Sequence, residues 1–465
     1  MKSLATTASL CLTVSFLAGC LPEKRIVWSP DGRRAAVATP QGLYFIDADG
    51  KVLPPKLPNT PARCDWFPDG KQLAVVHTQK AKGWNEIKGL FTPQQIETLT
   101  KLAKGARTQL LAHDGAWDDF KLDFKLDAHD QYSSGMQLAT LLCMRDEHAE
   151  GVAEKLGDKW VELRELDATI WMLQFFTISA DALAPGAVII RSLDEIRQPR
   201  VAPDAKNIAF IMSPADFPVD TVSLHVVSAV GGPSRIVADR VAIDYSWSPD
   251  SRNLAYIHCP SPRGDEKGMI QLGSLTTVNI ADESGALLKE WTQRQDRVGL
   301  LFNDVLGVRW LRDGRLIFSS VEVTLPATPR DMPQQWSLFV LDPRMPASVT
   351  RVLARDLGQP RDMALPLFEL SPDESKVLLP GQKGRVSLYE FASGEETPIV
   401  AKDDAKGETR ALPSWRNNSE ITAVFPNPEN DPKGPAQIML WKAGQSRPIS
   451  DAWPKEMKDG WLIKE

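Results

Sequence analysis

One string returns along the chain and constrains its fold more than any other feature. Trp28-Ser29-Pro30-Asp31-Gly32 precedes the apolar run Ala35-Ala36-Val37. Trp66-Phe67-Pro68-Asp69-Gly70 precedes Leu73-Ala74-Val75-Val76, and Val201-Ala202-Pro203-Asp204 precedes Ile208-Ala209-Phe210-Ile211. Trp247-Ser248-Pro249-Asp250 stands before Leu254-Ala255-Tyr256-Ile257, and Trp310-Leu311-Arg312-Asp313-Gly314 before Leu316-Ile317-Phe318. Leu370-Ser371-Pro372-Asp373 leads into Val377-Leu378-Leu379, and a degenerate copy, Trp415-Arg416-Asn417-Asn418, into Ile421-Thr422-Ala423-Val424-Phe425. Pro fixes φ, Asp bonds back to its own turn and Gly accepts φ > 0, so each string is a tight turn. The apolar run behind it is a buried strand.

The unit is therefore strand, turn, strand. A third strand closed by a Gly turn follows in several copies: Leu43 to Ile46, Leu224 to Val227, Leu275 to Ile280, Val386 to Phe391 and Ile438 to Trp441. A fourth follows, with Ser234 to Ala238 as an example. Most copies lie about 40 to 60 residues apart, the period of four-stranded propeller blades. The Trp-Ser-Pro-Asp-Gly unit resembles the repeat of TolB-like β-propellers, relatives of the WD repeat. The resemblance implies an all-β propeller over residues 20–465, with seven blades, or six if the Trp415 copy is not a true blade. It is specific for fold and poor for function, because propellers host many unrelated roles.

One interval breaks the period. Asp69 to Asp204 is roughly 90 residues longer than one blade needs. Inside it Thr92-Pro93-Gln94-Gln95 reads as an N-cap, a Pro at the first helical position and a capping partner. Ile96, Leu99, Leu102 and Ala103 then recur at helical spacing. A second helix is expected from Met136 to Leu156 and a third from Lys159 to Leu166, with a blade strand resuming over Ile170 to Ile178. The second blade thus carries a partly helical insertion over 83–165.

The inner strand of each blade lines a propeller's central channel, and its side chains alternate faces. Three and five residues before each motif Asp (Asn418 in the last copy) the chain is apolar or aromatic: Trp28, Trp66, Tyr245, Trp247 and Phe368 are examples. That face is expected between blades. Four and six residues before it the chain is mostly polar. The expected channel lining is Arg25, Arg63, Asp65, Arg200, Asp244, Ser246, Arg309 and Glu369. These charges either pair with one another around a water-filled tunnel or form a mixed-charge mouth that holds a peptide tail or small anion.

The N-terminus sets the compartment. Lys2 precedes the apolar run Leu10 to Leu17, which is too short to span a bilayer. Leu17-Ala18-Gly19-Cys20 resembles the lipobox of bacterial lipoproteins, in which the cysteine thiol receives lipid. The resemblance implies that residues 1–19 are a signal peptide and that Cys20 is the lipid-modified residue. In the enterobacterial sorting pattern an Asp after the cysteine retains the protein at the inner membrane, so Leu21 favours the outer membrane, with periplasmic or surface orientation open. The net charge of −6 argues against a nucleic-acid partner. Cys64, Cys143 and Cys259 permit at most one disulfide and are read as small buried residues.

Catalytic strings are scarce. No Gly-x-Ser-x-Gly elbow, His-Glu-x-x-His or P-loop is present. Propellers of this kind also precede the hydrolase domain of prolyl oligopeptidase relatives, but too few residues follow the repeats here for that activity to be expected. His113, His129 and His148 stand near a run of aspartates between His113 and Asp130, read as a solvated acidic loop rather than a metal site. No cofactor is expected. The first functional reading is a lipid-anchored cell-envelope binding or scaffolding module that holds a protein or peptide partner. The alternative is a metal-assisted lyase or hydrolase acting on an extracytoplasmic carbohydrate or ester; the candidate lining holds no histidine, which counts against it.

Overall fold

A computed structural model describes residues 23–58, 63–114, 134–179, 182–213, 222–258, 274–281, 287–291, 307–322, 335–356, 367–381, 385–400, 411–425, 436–458 and 461. Lipidation at Cys20, Cys259 and most of the acidic loop lie outside them. The strands form seven four-stranded antiparallel sheets, each from one stretch of chain. The protein is a seven-bladed β-propeller, so the Trp415 copy is a true blade. Inner strands are Ile26–Trp28, Arg63–Trp66, Glu195–Val201, Val241–Trp247, Val308–Trp310, Glu369–Leu370 and Ser414–Trp415.

The turn string works as its residue types dictate. Ser29 Oγ donates to Asp31 Oδ1 at 2.6 Å, and the Arg33 N–H donates to the same oxygen at 3.1 Å. Gly32 takes φ +64°. Ser248 with Asp250, and Ser371 with Asp373, repeat the 2.6 Å bond. The motif carboxylates are thus consumed in turns. Ala205, Ser251 and Glu374 hold the same left-handed position without glycine, at a cost of about 1 kcal/mol each. Ser251 and Glu374 gain something there. Each side chain accepts from the neighbouring blade's turn, at Asp204 N (2.9 Å) and Arg312 N (2.9 Å).

Second strands read as unbroken apolar runs because both faces of a blade are covered by neighbours. Ala35, Ala36 and Val37 are all fully buried. The motif tryptophans lock blade to blade. The indole N–H of Trp66 donates to Val27 O at 2.8 Å, that of Trp247 to Arg200 O at 3.0 Å and that of Trp415 to Glu369 O at 3.1 Å. Each acceptor lies four residues before the preceding blade's motif Asp. Trp28 closes the ring by donating to Thr422 Oγ1 of blade seven at 3.2 Å. Trp461 and Trp453 pack at the same seam with Ile26 and Ile438, and Trp453 Nε1 donates to Gly50 O at 2.8 Å.

In blade two the strands Gln72–Ala81 and Ala168–Ile178 pair along their length, and the described residues between them are mainly helical. The Pro93–Ala112 helix starts with the expected capping box of Thr92 and Gln95. The expected helix from Met136 to Leu156 is two helices, Ser134–Glu147 and Val152–Leu156. Gly151 breaks it by adopting φ +73°, a conformation no helix interior tolerates. Leu99, Ala103, Leu110, Leu142 and Trp84 pack into one core with Ala81, Ala168 and Ile170 of the blade's own strands. No described helix is long and apolar enough to cross a membrane.

Candidate functional site: a mixed-charge channel

A cavity of about 290 Å³ lies where the inner strands converge. Seven of the eight candidates line it: Arg63, Asp65, Arg200, Asp244, Ser246, Arg309 and Glu369. Arg25 does not. Its guanidinium lies 4.1 Å over the Trp461 ring and its Nε donates to Ala38 O at 3.0 Å. Arg63 and Asp244 stand at the same distance before their motif Asp and do reach the cavity, so alternation alone does not decide which side chains of that face line it. The separation of faces is also incomplete, since Cys64, Pro199, Trp247 and Phe368 reach the lining.

The charges form two alternating chains. In the first, Arg200 Nη2 meets Asp244 Oδ1 at 2.5 Å, Arg309 Nη1 meets Asp244 Oδ2, and Arg309 Nη2 lies 3.7 Å from Glu369 Oε1. Lys24 Nζ completes it, 3.4 Å from Glu369 Oε2. In the second, Arg197 meets Glu195 at 2.6 Å, Glu195 meets Arg63 at 2.9 Å, and Arg63 meets Glu23 at 2.6 Å. Both chains end on the same dipeptide, Glu23-Lys24, which precedes blade one. That segment is held by backbone as well: the Leu412 N–H donates to Glu23 O at 2.9 Å.

Glu195, Arg197, Glu23 and Lys24 escaped the sequence reading. For the first two the cause is a bulge. Gln198 and Pro199 stand opposite one residue of the next strand, between the pairs Arg200–Ala209 and Arg197–Ile211, and Gln198 has φ +48°. An extra residue reverses the alternation beyond it. A Pro inside a strand run is the available signal.

Three of the polar residues also staple blades. Asp65 Oδ2 accepts from Val201 N at 2.8 Å, Ser246 Oγ from Trp310 N at 2.9 Å, and Asp244 Oδ2 from Val308 N at 3.0 Å. Each donor belongs to the following blade's inner strand. Burial alone would raise the Asp244 carboxyl, but Arg309 and Arg200 outweigh it and hold it below the usual range. Burial likewise opposes, and Arg63 with Arg197 overcomes, so Glu23 is also held low. Asp65 differs. Burial dominates and raises it, against the lowering effect of the Val201 N–H and of the Lys24 and Arg200 charges. Burial and the Asp65 charge push the Cys64 thiol above its ordinary range.

No family model and no curated protein matches the chain. Solved structures do. TolB from Acinetobacter baumannii matches at 15% identity and a TM-score of 0.36, over 60% of this chain and 59% of that one. The acylaminoacyl peptidase of Pyrococcus horikoshii matches at 15% and 0.37, over 60% and 41%. The β-propeller domain of the Trilobed protease from Pyrococcus furiosus matches at 13% and 0.36, over 60% and 80%. The chain thus spans less than two thirds of the first two. The propeller assignment rests on the seven sheets rather than on these partial likenesses.

Proposed function

We propose that the protein is a lipid-anchored envelope module whose channel mouth holds a peptide segment of a protein partner. One observation carries this reading. The chain's own Glu23-Lys24 already lies at the cavity as an extended peptide, its acid on Arg63 and its amine on Glu369. A partner segment bearing an acidic and a basic side chain would meet the same two groups. The lining is balanced in formal charge, with Lys24, Arg63, Arg200 and Arg309 against Glu23, Asp65, Asp244 and Glu369. Such a wall suits a zwitterionic peptide better than a polyanion, because net attraction is small and recognition comes from placement.

With Cys20 as the lipid-bearing residue, only Leu21 and Pro22 stand between the anchor and Glu23, three Cα–Cα steps in all. A chain of that length reaches only about 10 Å, so the mouth crossed by Glu23 faces the membrane surface on which the protein sits. The partner would approach from that side or carry its segment beneath the propeller. The lyase or hydrolase reading needs a nucleophile, a general base or metal donors at the cavity. Its described lining offers no imidazole, and its one thiol is held protonated.

The test is site-specific photocrosslinking in intact envelopes. A crosslinker at Leu412, on the lining, should capture a discrete adduct that one at the exposed Ile236 of an outer strand does not. Glu23→Ala with Lys24→Ala should increase that adduct by freeing Arg63 and Glu369 from their resident partners. Equal labelling at both positions, or turnover of a carbohydrate or ester abolished by changes in the lining, would sink the reading.

A further inference from the structure

The helical unit of blade two holds three potential metal donors that the channel does not involve. Cys143, Glu147 and His148 lie near the C-terminal end of the Ser134–Glu147 helix, and their ligand atoms all fall within 4.8 Å of one another. Positions four apart share a helix face and the fifth lies beside it. Cys143 is fully buried. The Nε2 atom of His148 is buried and has no hydrogen-bond partner among the described residues. An orphaned buried nitrogen costs about 1–3 kcal/mol and calls for an explanation. Asp146 between them is already engaged, accepting from Trp84 N at 2.6 Å.

We propose that Cys143, Glu147 and His148 bind a borderline-soft divalent cation of the zinc type. Thiolate, imidazole and carboxylate together select such an ion over magnesium or calcium, which prefer all-oxygen sites. Bonds of about 2.0–2.3 Å in a tetrahedron set donors about 3.3–3.8 Å apart, so donors now within 4.8 Å of one another need to close by roughly 1 Å. The thiol proton leaves to solvent as the sulfur–metal bond forms. Lys88 Nζ now sits 3.3 Å from Glu147 Oε1 on an exposed stem; such a pair is worth at most about 1 kcal/mol and swings away readily. Three protein donors leave a fourth position for water or for a donor from a partner.

The experiment is titration of metal-stripped full-length protein with Co²⁺ alone. One equivalent should produce the near-ultraviolet sulfur-to-cobalt charge-transfer band, and added Zn²⁺ should bleach it. Cys143→Ser should abolish the band while Cys64→Ser leaves it unchanged. His148→Ala and Glu147→Gln, at less buried positions, should weaken binding at least about tenfold with unchanged circular dichroism. No band on the unaltered protein, a band that survives Cys143→Ser, or affinities indifferent to both His148→Ala and Glu147→Gln would overturn the site.

Discussion

The channel wall and the helical insertion both gather ionisable groups, by opposite means. On the wall each charge is answered from another segment: Asp244 of blade four takes Arg200 of blade three and Arg309 of blade five. In the insertion Cys143, Glu147 and His148 come from one stretch of chain and leave a nitrogen unanswered. The wall's charges are therefore part of how the ring holds together, whereas the insertion's cluster touches its core of Leu99, Ala103 and Leu142 only through Cys143. Charged residues at a propeller's centre can be blade staples first, and their loss is then read first in stability and only afterwards in binding.

The sharpest test is Asp244→Ala. It removes the close partner of Arg200, leaves Arg309 with the longer Glu369 contact and strands the Val308 N–H, and breaking a buried pair from one side costs about 3–5 kcal/mol. Urea unfolding should show that loss; a change under about 1 kcal/mol would mean that the wall is not structural. The pH dependence has a definite sign. The Asp244 carboxyl is held low in the fold, so its contribution is present above the unfolded carboxylate range and is lost as pH falls through its depressed folded value.

The tryptophans come next. Trp66→Phe and Trp247→Phe each remove one hydrogen bond to the preceding blade, at about 0.5–1.5 kcal/mol. Trp310 occupies the same motif position, but its buried Nε1 has no partner among the described residues. Trp310→Phe should therefore cost less than either, measured by the same unfolding. Equal losses at all three would show that packing alone, not the hydrogen bond, joins the blades.

Asp65→Asn should act in the opposite sense to Asp244→Ala. Its carboxyl is raised by burial, so the charge disfavours the fold as pH rises through that raised value, and relief lies below the unfolded range. Asn keeps an acceptor for Val201 N and removes the charge, for a gain on the order of 1 kcal/mol at neutral pH that vanishes in acid. Thermal unfolding at neutral and acid pH checks it. The smallest effect belongs to the insertion. Glu147→Gln in metal-free protein should stay within about 0.5 kcal/mol of the parent, since its one described ion pair is exposed; a larger loss would erase the contrast with the wall.

How much of this was legible beforehand differs by level. The turn strings and the apolar runs behind them contain the blade, because turn chemistry and strand burial are local. The same holds for the capping box at Thr92, which two side chains and two backbone groups complete within four residues. Alternation carried seven channel residues to the cavity wall and then failed at Gln198-Pro199, where a bulge reversed it. Gly151 ended a helix that periodicity alone had continued.

The order of the chain thus determined the repeat, the number of its copies and the polar face of each inner strand, since all three depend on neighbours in sequence. Only the closed ring decided which charge answers which, and that Glu23 and Lys24 would lie on the cavity. Those partners stand up to 345 positions apart along the chain. Coulomb energy in a low-dielectric wall depends on distance through space, a quantity that no local pattern carries.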